Sequence, residues 1–122
     1  MPTTEKTLTL VGDLKKSTHL QRTHALASFS IPVTVKEQTV FERTLAPDES
    51  ISVPFAGMLA ASMIFILLDD QLDGELEIAL NGSIDYVPLG LGMFMAGTSV
   101  TSMSIRNSSI NEGAFTAYLG GN

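Results

Sequence analysis

His19 and His24 are the only imidazoles in the chain, five residues apart in a polar stretch. A helical zinc pair needs its histidines four apart with a glutamate between them, so this spacing argues for exposed or partner-contacting side chains instead. With no histidine beyond residue 24, a cupin-type metal site is disfavoured as well. Cysteine is absent, which removes thiolate metal sites and disulfides. Asp69, Asp70, Asp73 and Glu75 put four carboxylates in one loop, the oxygen chemistry that a hard cation takes. Leu72 interrupts them and no glutamate stands at the twelfth position of an EF-hand loop, so a solvated acidic turn is the expectation, with calcium as the alternative. Glu75 and Glu77 are expected to share the solvent face of one strand, where they could hydrolyse a glycoside only inside a sugar-lined cleft. Two tyrosines and no Trp make a poor lining, and solubility explains the pair better. Serines and threonines are many, but no Gly-x-Ser-x-Gly elbow holds one, and no histidine lies near a candidate nucleophile. Gly90-Leu91-Gly92 lacks the third glycine and the lysine of a phosphate-cradling loop. The expectation is a protein that binds or assembles, with no catalytic residue, cofactor or metal.

The elements that carry these residues alternate with period two. Ser50–Phe55, Glu75–Leu80, Ser102–Ile105 and Phe115–Leu119 each put apolar side chains on every second position, as a half-buried strand requires. Thr7–Val11 reads the same way, with Leu8 and Leu10 on one face. Residues 15–23 are polar and aperiodic and are expected to form a loop or extended arm. Ala25–Ile31 is expected to be a strand ending before Pro32, followed by Val33–Leu45, in which a bulge would explain the broken parity. Ala46-Pro47-Asp48-Glu49 is a turn with Pro in its second position. Ser62–Leu68 is apolar on both faces, the pattern of a central strand. A helix over residues 56–68 is the rival, disfavoured by the Ile-Phe-Ile cluster and the Pro-Phe-Ala-Gly entry. Asn81-Gly82 marks a hairpin; a three-residue loop would pair Ile78 with Ile84 and Leu76 with Tyr86 and keep one face apolar. Met93-Phe94-Met95 is expected as a short strand among glycines, then Ser99–Arg106 and Gly113–Leu119, with Gly120-Gly121-Asn122 as a frayed tail. Eight or nine closely spaced strands predict one all-β domain over residues 1–122, an antiparallel two-sheet sandwich of jelly-roll type, in which residues 1–24 include an arm.

Composition bounds the partners. Of the residues, 44% are hydrophobic and 16% charged, which is apolar for a soluble 122-residue monomer and hints at assembly; an ordinary strand-rich core is the alternative. The net charge of −6 is divided: residues 1–43 hold six bases against four acids, and residues 44–122 hold Arg106 against nine acids. An acidic body argues against nucleic acid, whose binding depends on neutralising phosphates. The opening Met1-Pro2-Thr3-Thr4-Glu5-Lys6 lacks the apolar core of a signal peptide, and residues 57–68 are too short to span a bilayer, so no membrane partner is expected. Lys15, Lys16, His19, Arg22 and His24 are the candidates for contacts to an acidic neighbour, a second copy included; solvated side chains are the alternative. Met93 and Met95, set among glycines, are further candidates for a subunit contact.

In strand rhythm, hydroxyl-rich outer faces and turn placement, residues 49–120 resemble the small β-sandwich virion proteins of tailed bacteriophages, which include capsid decoration (cement) proteins and head or tail accessory proteins. The runs that carry the likeness are Glu49–Phe55, Ser62–Asp70, Gly74–Gly82, Met93–Asn107 and Phe115–Leu119, with no diagnostic motif among them. The resemblance implies a non-enzymatic, homo-oligomeric structural protein of the virion. Such a protein is often trimeric, is assembled in the host cytoplasm and is anchored to a major capsid protein or another virion partner. A carbohydrate- or receptor-binding β-module is the alternative, and it predicts that Phe41, Tyr86 and Phe94 gather at one end of the sandwich.

Overall fold

The computed structural model describes residues 4–17 and 23–122. Ten strands follow in chain order: β1 Lys6–Ser17, β2 Thr23–Val35, β3 Glu37–Leu45, β4 Ser50–Ser52, β5 Ala61–Leu68, β6 Leu76–Leu80, β7 Val87–Pro88, β8 Gly92–Val100, β9 Met103–Asn107 and β10 Gly113–Gly121. Two four-stranded antiparallel sheets, ordered β3-β10-β5-β8 and β4-β9-β6-β7, form the body, and β1 and β2 pair with each other as a separate ribbon. From β3 onward the chain crosses between the sheets at nearly every step, which is the jelly-roll path expected from strand number and spacing.

Alternation decides what each face does. In the first sheet Phe41, Ala117, Ile66 and Met93 make one cross-strand row, and Leu119, Ile64 and Met95 another. The second sheet contributes Leu76, Ile78, Met103 and Ile105, and these side chains join in one core with Leu45, Val53, Val100 and Phe115. Residues 61–68 form the strand, since Ile64 and Ile66 are wholly buried inward while Phe65 and Leu67 point out. At β-strand spacing only period two sorts them this way. The Ala46–Glu49 turn is present, with Asp48 at φ 64° after Pro47, Glu49 N donating to Ala46 O at 3.1 Å, and the Glu49 side chain accepting from Ala46 N at 2.9 Å.

Four sequence expectations are corrected. Lys15, Lys16 and His24 lie in the β1–β2 ladder, not in a loop, because Lys15 pairs with Ala25 and Lys16 with His24; residues 18–22 lie outside the described residues. β2 runs through Pro32, which faces Thr9, and the break comes at Lys36. This ribbon strand has one unpaired edge, and there the missing proline N–H costs nothing. Asn81 and Gly82 do turn the chain, both at positive φ (55° and 73°), with Ser83 N donating to Leu80 O at 3.0 Å. The ladder then resumes only at Ile78–Val87, and Ile84 is 90% exposed. Asn81 Oδ1 is held by Thr101 N at 2.7 Å, and Asp85 N turns back onto Ser83 Oγ at 3.0 Å, which carries residues 83–86 away from β6. Gly120 and Gly121 are buried in β10, not frayed: a Cβ at Gly120 would stand 2.7 Å from Leu8 Cδ1, and one at Gly121 would strike the Ala60 carbonyl oxygen. Only glycine lets the ribbon base and the Ala60 backbone approach so closely.

Candidate functional site

The ribbon is the feature that the jelly-roll body does not absorb. Paired residues of an antiparallel ladder share a face. One face of β1–β2 therefore carries Leu8, Leu10, Gly12 and Leu14 with Val33, Ile31, Phe29 and Ala27, with Lys6 and Val35 at its base, and the other, more polar face carries Thr7, Thr9, Val11 and Asp13 with Thr34, Pro32, Ser30 and Ser28. Ser28 Oγ donates to Asp13 Oδ1 at 2.7 Å on that polar side. The Phe29 ring lies across Gly12, where an added Cβ would meet its Cζ at 2.5 Å. An aromatic ring covering a cross-strand glycine restores contact area that the glycine lacks.

At its base this apolar face rests on the first sheet. Leu8 and Val35 sit over Gly120, and β2 touches β10, β5 and β8. Beyond the base no described residue covers it: residues 23–30 are exposed throughout, with Leu14 at 58% and Phe29 at 43%. The ribbon's strands are 12 and 13 residues long, and a two-stranded ribbon by itself is marginal in water.

The outer face of the first sheet continues the theme. Val40, Tyr118, Phe65 and Phe94 are successive cross-strand neighbours. Phe65 makes edge contact with Phe94 (centroids 6.1 Å apart) and a tilted contact with Tyr118 (5.9 Å). Together with Leu8 and Leu10 these side chains line an open groove of about 420 Å³ in the angle between ribbon and sheet. Toward the other end of the sheet the next rows bring Glu42 and Leu67, then Asp69, so the face passes from apolar to acidic.

The second sheet carries one ordered polar set. Arg106 Nε donates to Glu77 Oε1 at 3.0 Å, and its guanidinium lies 4.0 Å over the Tyr86 ring. The Ser108 hydroxyl, the Arg106 hydrogen bond and the Arg106 charge together hold the Glu77 carboxyl below its ordinary value. Glu75 precedes β6, its N–H donating to Ser109 Oγ at 3.0 Å, so the two glutamates do not share a strand. Between the sheets Asn107 is a structural hub, 1% exposed. Its Nδ2 donates to Leu45 O (3.1 Å) and Asn111 O (2.7 Å), and its Oδ1 accepts from Ser109 N (3.0 Å) and Ser109 Oγ (2.6 Å).

Of the residues singled out from sequence, Lys15, Lys16 and His24 come together at the outer end of the ribbon, while His19 and Arg22 lie outside the described residues. Met93 and Met95 are half-buried and pack against the core beside Ile66 and Ile64, which leaves Phe94 between them as the outward side chain. Phe41 packs inward on Phe115 (5.9 Å), Phe94 lies on the outer face of the first sheet and Tyr86 under Arg106, so the three rings do not gather. In the acidic loop Asp69 Oδ1 accepts from Gln71 N (2.9 Å) and Asp70 Oδ1 from Gln71 Nε2 (3.1 Å). Among the described residues no three His, Cys, Asp or Glu side chains converge to hold a metal ion. The apolar ribbon face and the Val40–Phe94 row went unmarked in the sequence reading, although the alternation of Leu8, Leu10 and Leu14 was there to extend. Comparisons with protein-family models, with curated proteins and with solved structures gave no match.

Proposed function

We propose that this protein is a non-enzymatic structural protein of a virus particle, a decoration or accessory subunit that self-associates and docks on a capsid or tail partner. The observation that carries the reading is the β1–β2 ribbon, which projects an uncovered apolar face from an otherwise closed jelly-roll body. A ribbon of this kind serves as an anchor, because covering its apolar face removes area from water at about 25 cal/mol per Å². The ribbon chain from residue 4 to residue 36 holds five bases and two acids, and residues 37–122 hold two bases and eleven acids, so subunits attract one another arm to body. The sandwich architecture and the likeness of residues 49–120 to phage virion proteins supply the setting by analogy.

The test has two steps. Light scattering on a sizing column reads the native mass against the 13.0 kDa chain, and an oligomer, a trimer foremost, is expected. Cosedimentation with phage heads and with tails stripped of accessory proteins then reads docking, with and without residues 1–36. Equal binding by the truncated protein would remove the ribbon from the attachment, and a monomer that binds neither particle would end the reading.

A further inference from the structure

We infer that the outer half of the ribbon seats on the first sheet of a second copy of this chain. Leu14, Ala27 and Phe29 would lie over the row Val40, Tyr118, Phe65 and Phe94, and Lys16, on the same face as Leu14, would reach Glu42. The inference rests on the assembly reading above and names both sides of the contact.

Three observations support a second copy as the occupant. The first is continuity. The apolar face that rests on its own first sheet at Leu8 and Val35 runs on past the body through Leu14 and Phe29, so the outer half offers the same kind of surface to another sheet. The groove is open, with its lining residues Val40 57% and Tyr118 39% exposed. β-sheet faces of this composition stack about 10 Å apart with interdigitated side chains.

The second is charge. Lys16 follows the apolar stretch on its face of the ribbon, and Glu42 and Asp69 follow the apolar row on the sheet. The two surfaces share one sequence of properties, apolar and then charged, with opposite signs. Such an arrangement sets register and speeds encounter more than it adds affinity.

The third is area. The outer stretch Val11–Ser17 is seven residues, and with its partner strand it covers roughly 23 by 10 Å, or about 230 Å². One arm on one sheet therefore buries about 460 Å², well short of the ~1,000 Å² that a stable interface needs. Two arms exchanged reciprocally in a dimer bury about 920 Å² in total, close to that threshold. The geometry thus favours a closed assembly in which every copy both donates a ribbon and accepts one.

The experiment uses the full chain and two surface variants, Leu14→Glu on the ribbon and Val40→Glu in the groove. Each puts a carboxylate into the contact and is expected to raise the dissociation constant about tenfold or more, which light scattering over a dilution series reads. A far-ultraviolet circular dichroism spectrum like that of wild type shows that the body is intact; if Val40→Glu unfolds, Val40→Thr keeps the β-branched shape and takes its place. The decisive step is the double variant Leu14→Glu with Val40→Lys, in which every donated ribbon meets a groove of opposite charge. Loss of self-association in both single variants with recovery in the double variant supports the contact. Wild type that assembles while both single variants keep its mass overturns the contact and leaves the assembly reading standing. Loss in both without recovery in the double variant overturns it too, because ribbon and groove then do not meet. A wild type that stays at 13.0 kDa at every concentration removes the contact and the assembly reading together.

Discussion

Replacing Asn107 by Asp changes one atom and reverses its chemistry. The Asn107 amide donates to the carbonyls of Leu45 and Asn111 while its oxygen accepts twice from Ser109, all at a site 1% exposed. Asp keeps the volume and the two bonds from Ser109, but sets a carboxylate oxygen against two carbonyl oxygens. Two donors are lost: the buried Leu45 carbonyl left unpaired, with a carboxylate set against it, costs about 3 kcal/mol, while the part-buried Asn111 carbonyl keeps the Ser109 hydroxyl within reach. With an unfolding entropy of about 2.1 cal/mol/K per residue, a chain this long has roughly 0.26 kcal/mol/K, and the melting temperature should fall by about 12 °C. The loss should depend on pH. Burial and the facing carbonyls raise the folded-state pKa of the introduced Asp above its ordinary ~3.9, so between the two values the native state binds more protons than the unfolded one. The contribution of that carboxyl is then fully present below the unfolded pKa and lost as pH rises through the folded one. The assay is circular dichroism melting of both proteins at pH 7 and pH 4, at one fixed protein concentration because assembly also shifts melting. The difference between them should be near 12 °C at pH 7 and narrower at pH 4. Melting within about 2 °C of wild type at pH 7, or a gap that does not narrow in acid, would refute the reasoning, since a 0.5 kcal/mol effect is that of an ordinary surface change.

Adjacent positions on β5 should separate sharply: Ile66→Ala, wholly buried, is expected to cost about 2–5 kcal/mol in urea denaturation, and Leu67→Ala, 46% exposed, under about 1 kcal/mol. Similar losses at both would mean that the strand does not alternate as described. The Thr98 hydroxyl is buried without a hydrogen-bond partner among the described residues, so Thr98→Val should raise the melting temperature by a few degrees, in keeping with about 1 kcal/mol for removing an unpaired polar group; a decrease would reveal a bond to that hydroxyl. Because the Glu77 pKa is lowered, its stabilisation is present above the ordinary value of 4.5 and lost as pH falls through the lowered one. Glu77→Gln should therefore flatten the acid limb of the stability curve, read by melting from pH 6 to pH 3, and an unchanged limb would assign that slope to other carboxylates.

The body was legible in the sequence because burial imprints itself as period two. Ile64 and Ile66 against Phe65 and Leu67 identify a strand even where both sides are apolar, and Pro47 followed by a residue at positive φ closes its turn as Pro-containing turns do. The outer ribbon was illegible for the converse reason. Lys15, Lys16, Ser17, Thr23 and His24 are exposed on both sides, so no pattern of burial distinguishes this ladder from a loop. Asn81-Gly82 named its turn correctly but not the register beyond it, which was decided by Thr101, twenty residues away in sequence. The terminal glycines were misleading as well: flexibility was read from their composition, whereas their small size is what admits Leu8, Val35 and Ala60. The candidate contact surface shares this difficulty. Val40, Phe65, Phe94 and Tyr118 come from four strands, and only the pairing of β3, β10, β5 and β8 sets them side by side.

The place of β10 between β3 and β5 has a consequence for the order of events at the ribosome. Those two strands never touch each other along a ladder, so the first sheet stays split until residues 113–121 have been made. The ribbon, by contrast, closes locally as soon as Val35 has emerged. A nascent chain therefore displays a formed arm on an unfinished body with two bare strand edges, the interval in which premature pairing between neighbouring chains is most damaging. Crowded translation should accordingly favour tangled aggregates over correct folding. Slower synthesis or a lower growth temperature should raise the soluble yield more for the full chain than for a variant lacking residues 1–36.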